Sequence, residues 1–238
     1  MTEVCGALAA LTLLMVVMLP ALAATKARSQ RVLCANNLSR IGVAHAMWGA
    51  DNDNRRPMMV PYWEGGVQIG GNAGSPPPGT PGWQWGALNS QAWFHYYWLS
   101  NELVSPKVLL CPSDSLRIPA KNWDSLSGGF LHSNFRNNSL SYVVAHSYSE
   151  LDRALVSADR NLPSTLLNAG CVYGLQGLRE ITAGGGIFGW VPYESFGHSL
   201  EGNLLFKDGS VEQIDSVGLA AMFSRTNWTQ GTVHFLTP

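Results

Sequence analysis

The sequence predicts an α+β protein in which one long N-terminal helix precedes a domain of short strands. Three observations indicate this architecture. An apolar run without charged residues extends from Val4 to Ala24, and a helix crosses a bilayer with about 20 such residues. Apolar residues then recur at helical spacing to residue 50, and short alternating segments bounded by turn residues follow later in the chain.

The chain of 238 residues has room for one membrane helix and one domain. We place the helix in residues 1–54, with its apolar part at 4–24, and a globular domain in residues 55–238. Charged residues make up 13% of the chain, against about 25% in ordinary soluble domains, and the formal net charge is −1. Because nucleic acid requires a basic face, it is not an expected partner.

Two interpretations of the apolar run are open. If the run stays in the protein, it is a membrane helix, and Pro20 should kink it because proline removes one backbone hydrogen bond. If it is a secretory signal, Ala21-Leu22-Ala23 is a cleavage site that precedes Ala24. No basic residue precedes the run, and it is longer than the apolar core of about 7–15 residues typical of signals, which favours the membrane helix.

The charges that flank the run bear on its orientation. Glu3 precedes it, and the basic residues Lys26, Arg28 and Arg31 follow it. Since basic residues mark the cytoplasmic side of a membrane helix, these residues alone would place the domain in the cytoplasm. A domain outside the cytoplasm therefore requires basic residues upstream of Met1.

Residues 32–50 form the second part of the predicted helix. One face carries residues that are spaced by three and four, namely Cys34, Leu38, Ile41, His45 and Trp48. This spacing predicts that the face packs on the globular domain. We interpret His45 as a packed histidine rather than a ligand, and the polar segment 51–57 as the end of the helix.

The chain has four cysteines, of which Cys5 lies in the apolar run and Cys34, Cys111 and Cys171 lie outside it. No CxxC pair and no Cys/His cluster has the spacing of a zinc site, so we expect no metal. In a domain that has crossed a membrane, one disulfide and one free thiol is the simplest arrangement. Cys34–Cys111 is our first choice for the disulfide, although the connectivity stays open at this point.

Residues 57–92 are rich in Pro, Gly and Trp and predict a long surface loop. Trp83 and Trp85 could stack on sugars, although such residues more often cover the edge of a core. The other predicted elements are an amphipathic helix (91–99), a strand that ends at a proline turn (108–114), two strands (139–147 and 155–163), a short helix (219–225) and a final strand (232–236). Within 155–163, Asp159 is expected to cap a turn.

A β-hairpin is predicted late in the chain. Asn203–Phe206 and Ser210–Ile214 are two short strands, and Asp208-Gly209 between them is a pair favoured in tight turns. His198 precedes Asp208 by nine intervening residues. We expect a structural role, in which the turn sets the register and His198 bonds across the hairpin. A catalytic His198–Asp208 pair is the alternative.

Several segments carry a family resemblance. The matching residues are Glu3, Leu19-Pro20-Ala21-Leu22-Ala23, Lys26, Gln30-Arg31, Cys34, Asn36-Asn37-Leu38 and Ile41-Gly42. This N-terminal pattern resembles that of type IV pilin-like proteins. More narrowly, the chain resembles the type II secretion G-like pseudopilins of the Verrucomicrobia–Planctomycetes type. The segments CPSD (111–114) and SADRN (157–161) and the spacing of His198 before Asp208-Gly209 are similar to elements of that family.

The resemblance implies a pilin-like fold, in which the long helix packs on a small antiparallel sheet, and a role as a filament subunit without cofactors or enzymatic activity. It implies an inner-membrane, single-pass protein with its C-terminal domain in the periplasm. The implied partners are sibling pseudopilins, a prepilin peptidase, the inner-membrane secretion platform and, before assembly, membrane lipid. The family's peptidase cuts after a glycine, so the mature chain is expected to begin about two residues before Met1. Glu3 is then expected to pair with the N-terminal amine of a neighbouring subunit.

The alternative function is a secreted carbohydrate-binding or hydrolytic domain behind a cleavable signal peptide. The sequence offers little for catalysis. Gly197-His198-Ser199-Leu200-Glu201 misses the G-x-S-x-G nucleophile motif at its fifth position. No HExxH motif is present, and no pair of carboxylates is marked for glycoside hydrolysis.

Overall fold

The fold was analysed in a computed structural model of the chain. The structure describes residues 2–61, 64, 66–67, 91–145, 154–162, 165–166, 178–182, 190, 198, 200–224 and 232–236. The account below concerns those residues.

One helix, α1 (Thr2–Ala50), contains both segments of the predicted helix. It ends at Ala50, where the Gly49 carbonyl accepts hydrogen bonds from the amides of Asn52 and Asn54. Pro20 lies inside the helix, and its kink remains a prediction. The helix is long and apolar enough to cross a membrane, and none of its most apolar window is buried by the part of the chain that the structure describes.

The second part of α1 packs on the domain through the predicted face. Cys34, Leu38 and Ile41 have no exposed surface, and Trp48 is also buried, whereas His45 is only partly covered. The residues between them on the sequence are mostly exposed. The three- and four-residue spacing therefore identified the packing face correctly, because it marks one side of a helix.

The described residues contain a seven-stranded sheet in the order β3-β4-β7-β1-β2-β5-β6, in which every neighbouring pair is antiparallel. The strands are β1 (Tyr142–Ala145), β2 (Leu155–Asp159), β3 (Thr165–Leu166), β4 (Leu178–Thr182), β5 (Glu201–Phe206), β6 (Val211–Asp215) and β7 (Thr232–Leu236). The predictions for β1, β2, β5, β6 and β7 are confirmed. Strands β3 and β4 had no counterpart among the predicted elements.

Successive strand residues point to opposite faces of the sheet, and each face has its own apolar core. Leu205 of β5 belongs to the cluster formed with α1, whereas its neighbours Leu204 and Phe206 belong to the cluster on the other face. That second face is covered by the helix α4 (Ser216–Ser224), whose Leu219 is fully buried. The fold is therefore α+β, with an antiparallel sheet between helices.

The β5–β6 hairpin brings two glycines of the sequence motifs together. Gly209 has φ +82°, the left-handed conformation that glycine accepts at little cost, and it forms the predicted tight turn. A Cβ on Gly42 of α1 would lie 2.8 Å from Leu205 Cδ1 and 3.6 Å from Gly209 Cα. The absence of a side chain at Gly42 thus allows α1 to cross directly over the hairpin.

Three local predictions are wrong. The segment 108–114, expected to be a strand that ends at a proline turn, instead begins within a 3₁₀-helix, Pro106–Leu109. Proline starts this helix, and the Ser105 side chain accepts from the Lys107 amide. The expected amphipathic helix is α2 (Ala92–Tyr97), with its residues 92–96 all buried. It is followed by the one-turn helix α3 (Ser100–Leu103).

The third error is the start of the expected surface loop. Pro57–Met59 is a 3₁₀-helix, and Pro57, Met58 and Val60 lie in the core. Apart from residues 57–61, 64, 66–67 and 91–92, the rest of this loop, including Trp83 and Trp85, lies outside the described residues.

Replacing Gly202 in β5 by alanine should destabilise the protein by about 1–3 kcal/mol, the usual cost of overpacking a core. A Cβ there would lie 2.4 Å from two carbons of the buried Trp190 ring, which cannot move aside as the end of a flexible side chain would. Urea denaturation of the purified full-length chain measures the effect. Gly218→Ala, where a Cβ would meet its nearest atom at 3.3 Å, is the milder control. Equal losses in both variants would contradict the prediction.

Candidate functional site

The candidate site is the junction between α1 and the domain, and a disulfide lies at its centre. The structure joins Cys34 of α1 to Cys111, the pairing that was our first choice. Close by, Asn37 Nδ2 donates to the Leu110 carbonyl at 2.8 Å, and the Tyr142 hydroxyl donates to the Cys34 carbonyl at 3.3 Å. The disulfide is buried, and α1 is therefore covalently attached to the segment that follows the Pro106–Leu109 turn. Cys5 is exposed and free, and Cys171 lies outside the described residues.

His198 packs against this disulfide. Its Nε2 atom lies 3.2 Å from Cys111 Sγ and 3.3 Å from Ser113 Oγ, and the residue is buried. Burial and, to a smaller extent, the charge of Arg31 lower the pKa of His198 to about 4, although the charge of Asp114 opposes the shift. The imidazole is therefore neutral at pH 7. The described contacts of the His198 ring are with the α1 junction, and its expected bond across the hairpin stays a prediction.

The geometry of the described residues does not support the alternative of a catalytic His198–Asp208 pair. The six residues of β5 separate the two positions, which at roughly 3.3 Å per residue is about 20 Å. Asp208 is exposed, and its Oδ1 accepts hydrogen bonds from the Ser210 amide at 2.9 Å and the Ser210 hydroxyl at 2.6 Å. The position of Asp208 is explained by the turn itself, which its carboxylate stabilises.

A buried ion pair supports the segment that carries Cys111. Arg160 Nε and Nη2 donate to the two carboxylate oxygens of Asp114 at 2.6 and 2.7 Å, a bidentate geometry. The Asp114 side chain is fully buried, and Arg117 Nε lies 3.7 Å from it. Two segments of the resemblance, 111–114 and 157–161, are thus joined by their charged residues.

The two neighbours of Arg160 bond to the β5 side of the junction. Asp159 Oδ2 accepts from the Asn203 amide at 2.8 Å and from Asn203 Nδ2 at 2.7 Å. Asn161 Nδ2 donates to the carbonyls of Glu201 at 3.0 Å and His198 at 3.4 Å. Asp159 therefore links β2 to β5 rather than capping a turn. Burial raises the pKa of Asp159 to about 7, although the Asn203 bonds and Arg31 lower it in part.

Polar contacts also attach the helix on either side of the disulfide. Arg31 of α1 forms an ion pair with Glu201 of β5. Gln30 Nε2 donates to the Pro112 carbonyl at 3.3 Å, and Gln213 Nε2 donates to the Arg31 carbonyl at 3.4 Å. Burial lowers the pKa of Arg31, and the nearby Asp159 and Asp215 oppose that shift. The junction thus combines a covalent bond, an ion pair and several hydrogen bonds.

The junction has limited means for chemistry. Ser113 Oγ and His198 Nε2 are at the spacing of a nucleophile and a base, but both residues are buried and the same nitrogen contacts Cys111. In the disulfide, the sulfur atoms are neither nucleophiles nor metal ligands. The arrangement is suited to holding a helix in place.

Sequence reasoning placed Cys34, Cys111 and His198 among the candidates, and the structure brings these three together. Glu3 is separate from them, in the first turn of α1, where it is exposed. Reasoning from the sequence missed Ser113, Asp114 and the ion pair from Arg31. These residues lie in or beside the segments that carry the family resemblance, and that position was the signal that could have revealed them. The chain matches no protein-family model, no curated protein and no solved structure.

Replacing Asp159 by asparagine should stabilise the protein increasingly as the pH rises. The folded protein keeps the Asp159 proton to about pH 7, whereas the ordinary pKa is 3.8. Between these values the unfolded chain binds fewer protons, so the wild type loses stability as the pH rises. The advantage of the variant should grow by up to about 1.4 kcal/mol per pH unit in this range.

Chemical denaturation at several pH values, with the variant and the wild type in parallel, measures this difference. Both chains retain His45 and His198, so their titrations cancel in the comparison. A difference between Asp159→Asn and the wild type that stays constant with pH would contradict the raised pKa of Asp159.

Proposed function

We propose that this protein is a pseudopilin-like structural subunit, which assembles through α1 into a filament of the type II secretion or type IV pilus kind. The proposal rests on the sequence resemblance and on one structural observation. Helix α1 is attached firmly to its domain over its second half, whereas none of its most apolar window, in the first half, is buried among the described residues. A subunit that passes from the membrane into a filament needs one half of its helix fixed to the domain and the other half available to lipid or to other subunits.

The first half of α1 exposes a large apolar surface, which is unfavourable in water. Its large apolar side chains, each more than half exposed, are Val4, Leu11, Leu13, Leu14, Met15, Val16, Val17, Met18, Leu19 and Leu22. Burying apolar surface is favourable by roughly 25 cal/mol per Å², and a large exposed apolar patch marks a membrane or protein contact. Lipid before assembly and sibling helices after it would both cover this surface.

The attachment of the second half of α1 to the domain also supports the proposal. The disulfide, the Arg31–Glu201 ion pair and the packing of Gly42 over the hairpin hold the domain at a set position along the helix. In a filament, that position decides where each domain lies on the outer surface. The proposed location is the inner membrane, with the domain in the periplasm. A prepilin peptidase and an inner-membrane secretion platform are the proposed processing and assembly partners.

Glu3→Ala should leave the protein inserted in the membrane but unable to assemble. An acidic group near the start of an apolar helix is costly in lipid or in a helical bundle unless it is paired, and the proposed partner is the N-terminal amine of a neighbouring subunit. Membrane fractionation and recovery of sheared filaments measure the two properties. Asp51→Ala, at the exposed end of α1, is the matched control and should assemble normally. Normal filaments from Glu3→Ala would remove the proposed role of this residue.

The N-terminal peptide of the native protein tests the proposal as a whole. Mass spectrometry on separated membrane and soluble fractions should find an N-methylated first residue shortly before Glu3 in the membrane or filament fraction. A soluble chain that begins at Ala24 would instead show that the apolar run is a secretory signal. In that case the proposed function is wrong, and the secreted binding or hydrolytic domain becomes the better hypothesis.

A further inference from the structure

We propose that the junction has a second state, in which Cys34 and Cys111 are reduced and bind a soft divalent cation such as Zn²⁺ together with His198. The Sγ atoms of the two cysteines and a ring nitrogen of His198 all lie within 4.8 Å of one another, and all three residues are buried. The filament function uses the disulfide form of this junction, and metal binding by the reduced form goes beyond that function.

The donor set is one that zinc prefers. Structural zinc sites take thiolate and imidazole ligands in tetrahedral geometry, with sulfur and nitrogen about 2.0–2.3 Å from the metal. Ligand atoms in such a site are about 3.3–3.8 Å apart, and His198 Nε2 already lies 3.2 Å from Cys111 Sγ. Ser113 Oγ, 3.3 Å from the same nitrogen and 4.0 Å from Cys34 Sγ, is placed to fill the fourth position, either directly or through a water.

The surroundings suit a cation once the sulfur atoms are thiolates. An imidazole binds a metal through a ring nitrogen, and His198 Nε2 is the ring nitrogen that faces Cys111 Sγ and Ser113 Oγ. Arg31 lies close enough to oppose a cation, and Asp114 acts in the opposite direction. Two thiolates add two negative charges to this balance, which makes the site favourable for a divalent ion.

The reaction that opens the site is a simple reduction. A dithiol or phosphine reductant supplies two electrons, the Cys34–Cys111 bond breaks, and two protons complete the two thiols. Binding of Zn²⁺ then displaces those two thiol protons. Because the disulfide and the metal use the same sulfur atoms, the two states exclude each other.

Both states would hold α1 on its domain. Metal ligands on α1 and on the 111–114 segment tie the same two parts that the disulfide ties. The metal state therefore belongs to reducing conditions, such as those before the domain reaches an oxidising compartment. Sequence spacing did not indicate this site, because the three ligands are distant in the chain and the fold alone assembles them.

The test uses the full-length chain in detergent, with Cys5→Ser and Cys171→Ser so that the other thiols do not contribute. Oxidised and phosphine-reduced samples are titrated with Co²⁺, which reports thiolate ligands by a charge-transfer band and tetrahedral geometry by intense visible bands. We expect both signals in the reduced sample alone, and their loss when Zn²⁺ displaces Co²⁺. The absence of the charge-transfer band from the reduced protein, or its presence in the oxidised protein, would overturn the proposal.

A matched pair of histidine variants tests the third ligand. His198→Gln should weaken Co²⁺ binding by about 10–100-fold or more, whereas His132→Gln, at a partly exposed position away from the junction, should bind as the parent does. Equal affinity in both variants would remove His198 from the site. If His198→Gln fails to fold, thermal unfolding of the reduced Cys5→Ser, Cys171→Ser chain tests metal binding instead. Zn²⁺ should raise the Tm of that chain, and a chelator should reverse the rise. An unchanged Tm would then overturn the proposal. None of these readouts depends on filament assembly, so the two proposals can fail separately.

Discussion

Cys34→Ser should lower the free energy of unfolding by about 4.5 kcal/mol, one of the two largest effects that we expect. In the chain-entropy account, a disulfide stabilises a protein by restricting its unfolded state, and the effect grows with the length of the loop that it closes. The Cys34–Cys111 bond spans a sequence separation of 77, so the restricted loop is long. The bond is also buried in the contact between α1 and the domain, where the variant leaves Cys111 beside His198.

Urea denaturation of the purified full-length chain in detergent measures the loss. Cys5→Ser is the matched control, because Cys5 is an exposed free cysteine on the apolar half of the same helix, and it should leave the stability unchanged. Cys34→Ser should still fractionate with membranes, since the apolar half of α1 does not depend on the disulfide. A loss below about 1 kcal/mol would show that packing and polar contacts hold the helix without the covalent bond.

Arg160→Met should cost about 3–5 kcal/mol, the penalty for leaving a buried charge without its partner. The Asp114 side chain is fully buried and accepts two hydrogen bonds from Arg160. Arg117, whose Nε lies 3.7 Å away, is too distant to replace that bidentate pair. The variant should destabilise the segment that carries Cys111 and therefore weaken the attachment of α1 to the domain.

Denaturation of two further variants separates a buried charge from lost packing. Arg160→Met combined with Asp114→Leu removes both charges and should recover much of the stability, because an apolar pair of similar size is often tolerated in place of a buried ion pair. Arg55→Met breaks exposed ion pairs with Asp53 and Glu64 and should cost only about 0–1 kcal/mol. A similar loss for Arg160→Met and Arg55→Met would contradict the importance of burial at Asp114.

Local patterns predicted much of the fold. The helix end near residue 50, its packing face, the hairpin turn at Asp208-Gly209 and the last strand all agree with the structure. These features depend on periodicity and on turn chemistry, which act over a few residues and are visible in any single sequence. Predictions were wrong where packing overrides local preference, as for α2, which forms as a helix but has residues 92–96 buried instead of an exposed polar face.

The sequence by itself determined that a long apolar helix exists, which of its faces meets a domain, and which residues form the matching segments. Only the tertiary structure decided what those segments do together. His198 lies beside Cys111, Arg160 pairs with Asp114, and Gly42 lies over Gly209, although each pair is far apart in the chain. The physical reason is that such contacts depend on the order of strands in the sheet and on the side from which α1 approaches. Both of these are set by the burial of the whole core rather than by any local stretch of residues.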